Sequence, residues 1–210
     1  MYKIRFALTA LFLVILYSCS DTNKKAAPSR IQFKDTAIAQ VESRANPYSP
    51  VDVSSMDMSY YPADYPKLKM TKADNEPLIA RIIYSRPHLQ GRGLFHRLLN
   101  YGQPWRLGAN EATELDLFKS ITIQGKKVNE GRYILYSIPQ PDKWTIVFNK
   151  NIDTWGLKPD SAKDAYRFDI PVTSTDNRIE YFTMVFEKAG TGANLIMAWD
   201  NVEARLHFIF

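Results

Sequence analysis

Residues that commonly carry chemistry are scarce in this sequence of 210 residues, which has one cysteine, Cys19, and three histidines. His88, His96 and His207 lie at no spacing that is typical of a zinc site or another transition-metal site. The nine glycines form neither a phosphate-binding loop nor the G-x-S-x-G turn of many hydrolases. We therefore predict no metal site, no cofactor and no catalytic residue set.

Long apolar runs and a strong charge of one sign are also lacking. The apolar segment at residues 6–16 has eleven residues, whereas a helix that crosses a bilayer needs about 20. Lys3 and Arg5 precede this segment, which is the pattern of a secretory signal peptide. The formal net charge of +5 falls to +3 without these two residues. Such a mild excess does not favour a nucleic-acid partner.

The end of the apolar segment, Leu16-Tyr17-Ser18-Cys19, is similar to the lipobox at which bacterial lipoproteins are cleaved and acylated. Exported proteins usually pair their cysteines or have none, so a lone cysteine here favours a lipid anchor over a structural thiol. A plain secretory signal with a chance cysteine is the alternative.

This pattern predicts three segments. A signal peptide occupies residues 1–18, an acylated Cys19 begins a flexible tether over residues 19–50, and a folded domain spans residues 51–210. The prolines and small polar residues between the anchor and the domain are typical of a solvated linker. The predicted location is the cell envelope, at a periplasmic or outer-membrane face, with the membrane as partner through the anchor. The sequence contains no signal for a particular oligomeric state.

Alternating apolar residues predict strands over most of the folded domain. The clearest case is residues 202–210, where every second residue is apolar and one face therefore requires a core opposite it. About nine or ten such segments follow one another at short spacing. We predict an all-β, jelly-roll-like antiparallel β-sandwich with one short helix over residues 94–99, in a long central loop. Residues 60–76, with two Tyr-Pro pairs, predict an ordered loop.

The central loop, residues 86–111, has the composition of a site. It is longer than most connections between strands, and long ordered loops tend to carry function. Guanidinium groups bind carboxylates or phosphates with two bonds, while Asn and Glu select hydroxyls, so an anion or a glycan is the predicted ligand. The alternative is a structural polar cluster, in which the arginines pair with Glu111 and satisfy loop carbonyls. The candidate ligand-binding residues are Arg86, Arg92, His96, Trp105, Arg106, Asn110 and Glu111.

Short motifs along the domain, from about Ser49 to the C-terminus, resemble the DUF2911 family of exported bacterial proteins. The matching residues are Tyr84-Ser85-Arg86-Pro87, Gly91-Arg92, Leu94-Phe95, Tyr101-Gly102, Trp105-Arg106, Gly108-Ala109-Asn110-Glu111-Ala112-Thr113, Gly125-Lys126-Lys127, Gly131-Arg132-Tyr133, Ile138-Pro139, Trp144-Thr145-Ile146, Phe148-Asn149-Lys150 and Trp155-Gly156.

The resemblance implies an extracytoplasmic β-sandwich domain and supplies no accepted catalytic set. The chain departs from the family pattern within the central loop. His96 and Arg97 stand where small glycines are usual, and Leu107 stands where a threonine is common. A ligand of this chain need not be shared by its relatives.

Three functions remain open on the sequence alone. The first is a lipid-anchored protein that binds a ligand or an envelope component through the central loop. The second is a hydrolase that acts on glycan or ester bonds at the same loop, and the third is a purely structural envelope lipoprotein. Removing His96 and the candidate acids separates the second function from the other two, because catalysis depends on a proton carrier and binding does not.

Overall fold

The computed structural model describes residues 52, 54–71 and 77–210. The predicted signal peptide over residues 1–18, the lipidation site at Cys19 and the tether over residues 19–50 lie outside the described residues. No helix in the described part of the chain has the length and apolar character needed to cross a membrane.

Antiparallel strands form one sheet, which confirms the predicted all-β class. Within the described residues there are nine strands: β1 Met56–Tyr61, β2 Ala80–Ser85, β3 Thr113–Leu117, β4 Ile121–Ile123, β5 Lys126–Val128, β6 Gly131–Pro139, β7 Lys143–Asn149, β8 Asp164–Ala189 and β9 Gly192–Ile209. Their order across the sheet is β1-β2-β3-β6-β7-β8-β9-β4-β5.

The two longest strands, β8 and β9, fold the sheet over itself. The first part of β8 pairs with β7 and the remainder pairs with β9. Their register shifts within residues 174–183, and Asp200 has a φ of 56°. Irregularities of this kind bend strands. Beyond the bend, Phe182 packs edge-on against Tyr84 of β2, with ring centroids 5.8 Å apart. The later part of β8 therefore covers β2, as a second layer covers the first in a sandwich.

One apolar core is shared by both parts of the sheet. Ala204, Leu206 and Phe208 of β9 are at most 1% exposed, so the alternating face predicted from residues 202–210 is the buried face. On the opposite face of the same strand, Ile209 is 42% exposed.

The short helix lies elsewhere than predicted. Residues 94–99 form a single turn, in which the amides of Leu98 and Leu99 both donate to the carbonyl of Leu94. His96 has a φ of 64°, and a residue in this left-handed region does not continue a right-handed helix. The helix, α1, spans Tyr65–Thr71, inside a segment for which the sequence predicts a loop. Pro66 lies in its first turn, where a missing N–H group costs nothing.

Candidate functional site

The central loop leaves β2 after Ser85 and enters β3 at Thr113, and Trp105 anchors it to the core. The indole ring of Trp105 is 9% exposed. Its indole N–H donates to the carbonyl of Gly108 over 3.1 Å. Its backbone amide and carbonyl pair with Ser137 of β6, at 2.7 and 2.8 Å. Three aromatic rings surround it, with centroid distances of 5.8, 4.8 and 5.6 Å to Trp144, Phe182 and Trp199 respectively.

A second anchor is Ser85, which is not among the candidate site residues predicted from the sequence. Its side chain is buried, and Oγ accepts the backbone amides of Ala109, at 2.6 Å, and Asn110, at 3.0 Å. Gly108 lies so close that a Cβ there would be 2.8 Å from the same oxygen. Ser85 therefore fixes the turn that follows Arg106.

An open cleft of about 300 Å³ lies beside this turn, and we call it the Arg106 cleft. Ligand sites commonly have volumes of about 300–1,000 Å³, with mostly apolar walls and a few polar groups. Among the described residues that line this cleft, Arg106 is the only charged one. The apolar lining residues include Leu98, Pro104, Trp105, Leu157 and Trp199, of which Pro104 and Leu157 are exposed and Trp105 and Trp199 are buried.

The guanidinium of Arg106 is only partly satisfied by the protein. Nη2 donates to the carbonyl of Ala109. Nε is buried and has no hydrogen-bond partner in the described part of the chain. Burial lowers the pKa of Arg106, and the negative charge of Glu111 acts in the opposite direction. The group still carries its proton at neutral pH, because arginine is not deprotonated in proteins. Arg106 therefore brings one positive charge to the cleft lining, and its buried Nε–H group is a donor that the described protein atoms leave unmet, which is costly.

The other two arginines of the predicted site bind partners of their own. Arg86 donates from Nε to the Phe182 carbonyl, at 3.2 Å, from Nη1 to Asp57, at 3.3 Å, and from Nη2 to Thr183, at 3.1 Å. It thereby ties the end of β2 to β8. Arg92 donates to the carbonyls of His88 and Leu89, in the turn that precedes it. Neither is among the residues that line the Arg106 cleft.

The remaining candidates lie around the cleft rather than in it. His96 is exposed, with its ring edge-on to Tyr101 at a centroid distance of 5.7 Å. The side-chain amide of Asn110 donates to Asp52 and to the carbonyl of Ser54. Glu111 is exposed and lines a separate groove of about 440 Å³ beside β1. Of the predicted site residues, the structure brings Trp105 and Arg106 into the cleft.

Sequence reasoning missed the part of the cleft that comes from distant segments. Gly156 and Leu157 follow β7, and Trp199 belongs to β9. A Cβ on Gly156, which has a φ of 81°, would lie 2.8 Å from the Cβ of Ala112. Its neighbours Trp155 and Leu157 are 56% and 68% exposed. The sequence does contain a signal for this part of the cleft, because two large apolar side chains flank a glycine in a stretch without strand alternation.

Groups for metal binding or proton transfer are not assembled at the cleft. No cluster of three or more His, Cys, Asp or Glu side chains within the described ranges has the arrangement of a metal site. The described residues that line the cleft include no histidine, serine, aspartate or glutamate.

Comparison with known proteins gives one family. The model of DUF2911, described as a protein of unknown function, matches residues 66–208. This range contains the central loop and every residue that lines the Arg106 cleft. No curated protein and no solved structure matches the chain.

Proposed function

The chain belongs to the DUF2911 family, whose function is unknown, and we propose that it is a lipid-anchored binding protein of the bacterial cell envelope. In this proposal a small ligand binds in the Arg106 cleft. The observation that supports it is a cationic side chain in a mainly apolar cleft, with a buried Nε that has no partner among the described residues. A guanidinium in such surroundings gains more from an acceptor than one in water does.

The same geometry favours binding over hydrolysis. A hydrolase needs an acid, a base or a nucleophile within hydrogen-bond reach of the bond that it breaks. His96 and Glu111, the groups that the sequence offers for this role, are not among the residues that line the cleft, and the hydroxyl of Ser85 accepts two backbone amides. Binding through Arg106 and the apolar residues that line the cleft requires none of these groups.

The attachment to the envelope rests on the lipobox-like sequence before Cys19. We expect Cys19 to be the acylated first residue of the mature protein, with more than one acyl chain, because a single myristoyl-length chain binds membranes only marginally, with a constant on the order of 10⁴ M⁻¹. Mass spectrometry of the mature N-terminal peptide measures this modification. In a Cys19→Ala variant the lipid mass should be absent and the protein should leave the membrane fraction. An unmodified Cys19, or a mature protein that begins elsewhere, contradicts the anchor.

Binding in the cleft is tested by ligand-observed NMR with a library of small acids, amides and sugars. We expect at least one compound to bind, and Leu157→Ala to weaken that binding roughly three- to tenfold, because one apolar contact of about 1 kcal/mol is lost. Leu157 is 68% exposed, so the substitution should leave the unfolding temperature nearly unchanged.

The matched control is Ile152→Ala, which removes a 44% exposed apolar side chain from the same connection without touching the cleft lining. It should bind every compound as the wild type does. If no compound binds, or if both variants weaken binding equally, the proposed function is wrong.

A further inference from the structure

The charge within the Arg106 cleft is that of one guanidinium. Arg106 is the only charged residue among the described residues that line it, and Glu111 adds a negative field from outside. One negative charge on a ligand neutralises this site. A phosphate monoester, with about two charges, would bring an uncompensated charge into a mainly apolar site, which is unfavourable. The charge balance favours a monoanion.

The orientation of the guanidinium limits how that anion binds. Nη2 donates to the carbonyl of Ala109, the ring centre of Trp155 lies 5.9 Å from Cζ, and the N–H groups of a guanidinium lie in its plane. Hydrogen-bond acceptors must therefore approach in the plane of the guanidinium, along its edge. A carboxylate suits this approach, because its two oxygens accept two parallel N–H bonds from an arginine.

The residues that line the cleft limit the polarity and the size of the rest of the ligand. Trp105 and Trp199 stack with centroids 5.6 Å apart, and Leu157 adds an exposed apolar side chain to the lining. A sugar would place several hydroxyls against these walls, where few acceptors and donors meet them. The volume of about 300 Å³ is at the lower end of the range for ligand sites. The body of the ligand is therefore small and apolar.

We propose that the ligand is a small monocarboxylate with an apolar body, either a fused ring or a short branched chain. Its carboxylate binds the edge of Arg106, and its body packs against the accessible apolar lining beside Trp105, chiefly Leu98, Pro104 and Leu157. This proposal rests on the proposed binding function of the cleft and narrows the predicted anion or glycan to one chemical class.

Calorimetry with matched acids and amides tests the proposal on the folded protein. The probes are indole-3-acetate with indole-3-acetamide, and 4-methylpentanoate with 4-methylpentanamide, so that each pair differs only in the charged head. We expect the acid of at least one pair to bind about tenfold or more tightly than its amide, because the carboxylate neutralises the guanidinium and both partners of its hydrogen bonds are ionised. The better pair identifies whether the body is aromatic or aliphatic.

Variants assign the preference to Arg106. Arg106→Met keeps an unbranched side chain as far as the position of Nε, removes the charge, and should make acid and amide bind equally. Arg97→Met removes the same charge from an exposed position on the same loop, outside the cleft lining, and should retain the preference. If Arg106→Met does not fold, Arg106→Lys keeps the charge but not the planar fork, and it should lower the acid's affinity without changing the amide's.

The outcomes separate this inference from the function on which it rests. Equal binding of acid and amide to the wild type overturns the carboxylate proposal and leaves binding in the cleft intact. A second outcome has the same meaning: none of the four probes binds, but a library ligand without a carboxylate binds and its binding depends on Leu157. Absence of any Leu157-dependent ligand overturns both. If Arg97→Met abolishes the preference for the acid and Arg106→Met retains it, the cation that binds the carboxylate is not Arg106. This result contradicts the proposal.

Discussion

Replacement of Trp105 with alanine is expected to lower the free energy of unfolding by about 3–5 kcal/mol, as for other large aromatic residues in protein cores. The indole is 9% exposed and contacts the rings of Trp144, Phe182 and Trp199. Its loss also leaves the carbonyl of Gly108 without the 3.1 Å bond from Nε1. Urea unfolding followed by circular dichroism measures the change without depending on tryptophan fluorescence.

Trp155→Ala is the matched control for this experiment. It removes the same side chain from a site that is 56% exposed, where the ring centre lies 5.9 Å from Cζ of Arg106. We expect a change of at most about 0.5–1 kcal/mol, the value of an exposed cation–π pair. Equal destabilisation by the two substitutions would mean that Trp105 does not anchor the central loop to the core.

Deletion of residues 202–210 is expected to abolish cooperative folding. The deletion removes the end of β9, which pairs with residues 172–174 of β8 and with β4. It also removes Leu206 and Phe208, both fully buried. Truncation of one buried Leu and one buried Phe to alanine costs about 2–5 and 3–5 kcal/mol, and their sum is comparable with the whole stability of a typical domain, about 5–15 kcal/mol.

Circular dichroism and thermal unfolding of the purified truncation measure this effect. Ile209→Ala is the control on the same strand, because Ile209 is 42% exposed on the opposite face. It should unfold cooperatively at nearly the wild-type temperature. A soluble truncation with a sharp unfolding transition would contradict the assignment of β9 to the core.

Local patterns in the sequence predict the all-β class, the buried face of the last strand and the limits of the central loop. Alternation along residues 202–210 predicts the buried face of β9, because side chains on a strand alternate between two environments. The predicted position of the helix was wrong because apolar spacing contains no information on the backbone conformation of single residues. Residues 94–99 have helical spacing, but His96 takes a positive φ.

The site was only partly predictable because its parts are far apart in the sequence. Trp105 and Arg106 were selected within one loop, whereas Trp199 and Leu157 reach the cleft through the bend of β9 and the connection after β7. The contacts of Arg86 were unpredictable for the same reason. Its partners Phe182 and Thr183 lie on β8, and nothing near Arg86 in the sequence indicates that these contacts occupy its guanidinium.

Backbone amide chemical shifts, recorded while indole-3-acetate or the strongest library ligand is added, test most directly whether the Arg106 cleft is the binding site. We expect saturable shifts centred on Ala109, Gly156 and Leu157, which line the cleft. Met58, in the separate groove beside β1 where Glu111 lies, should not move. Saturable shifts centred on Met58, with the amides of the cleft unchanged, would contradict the account.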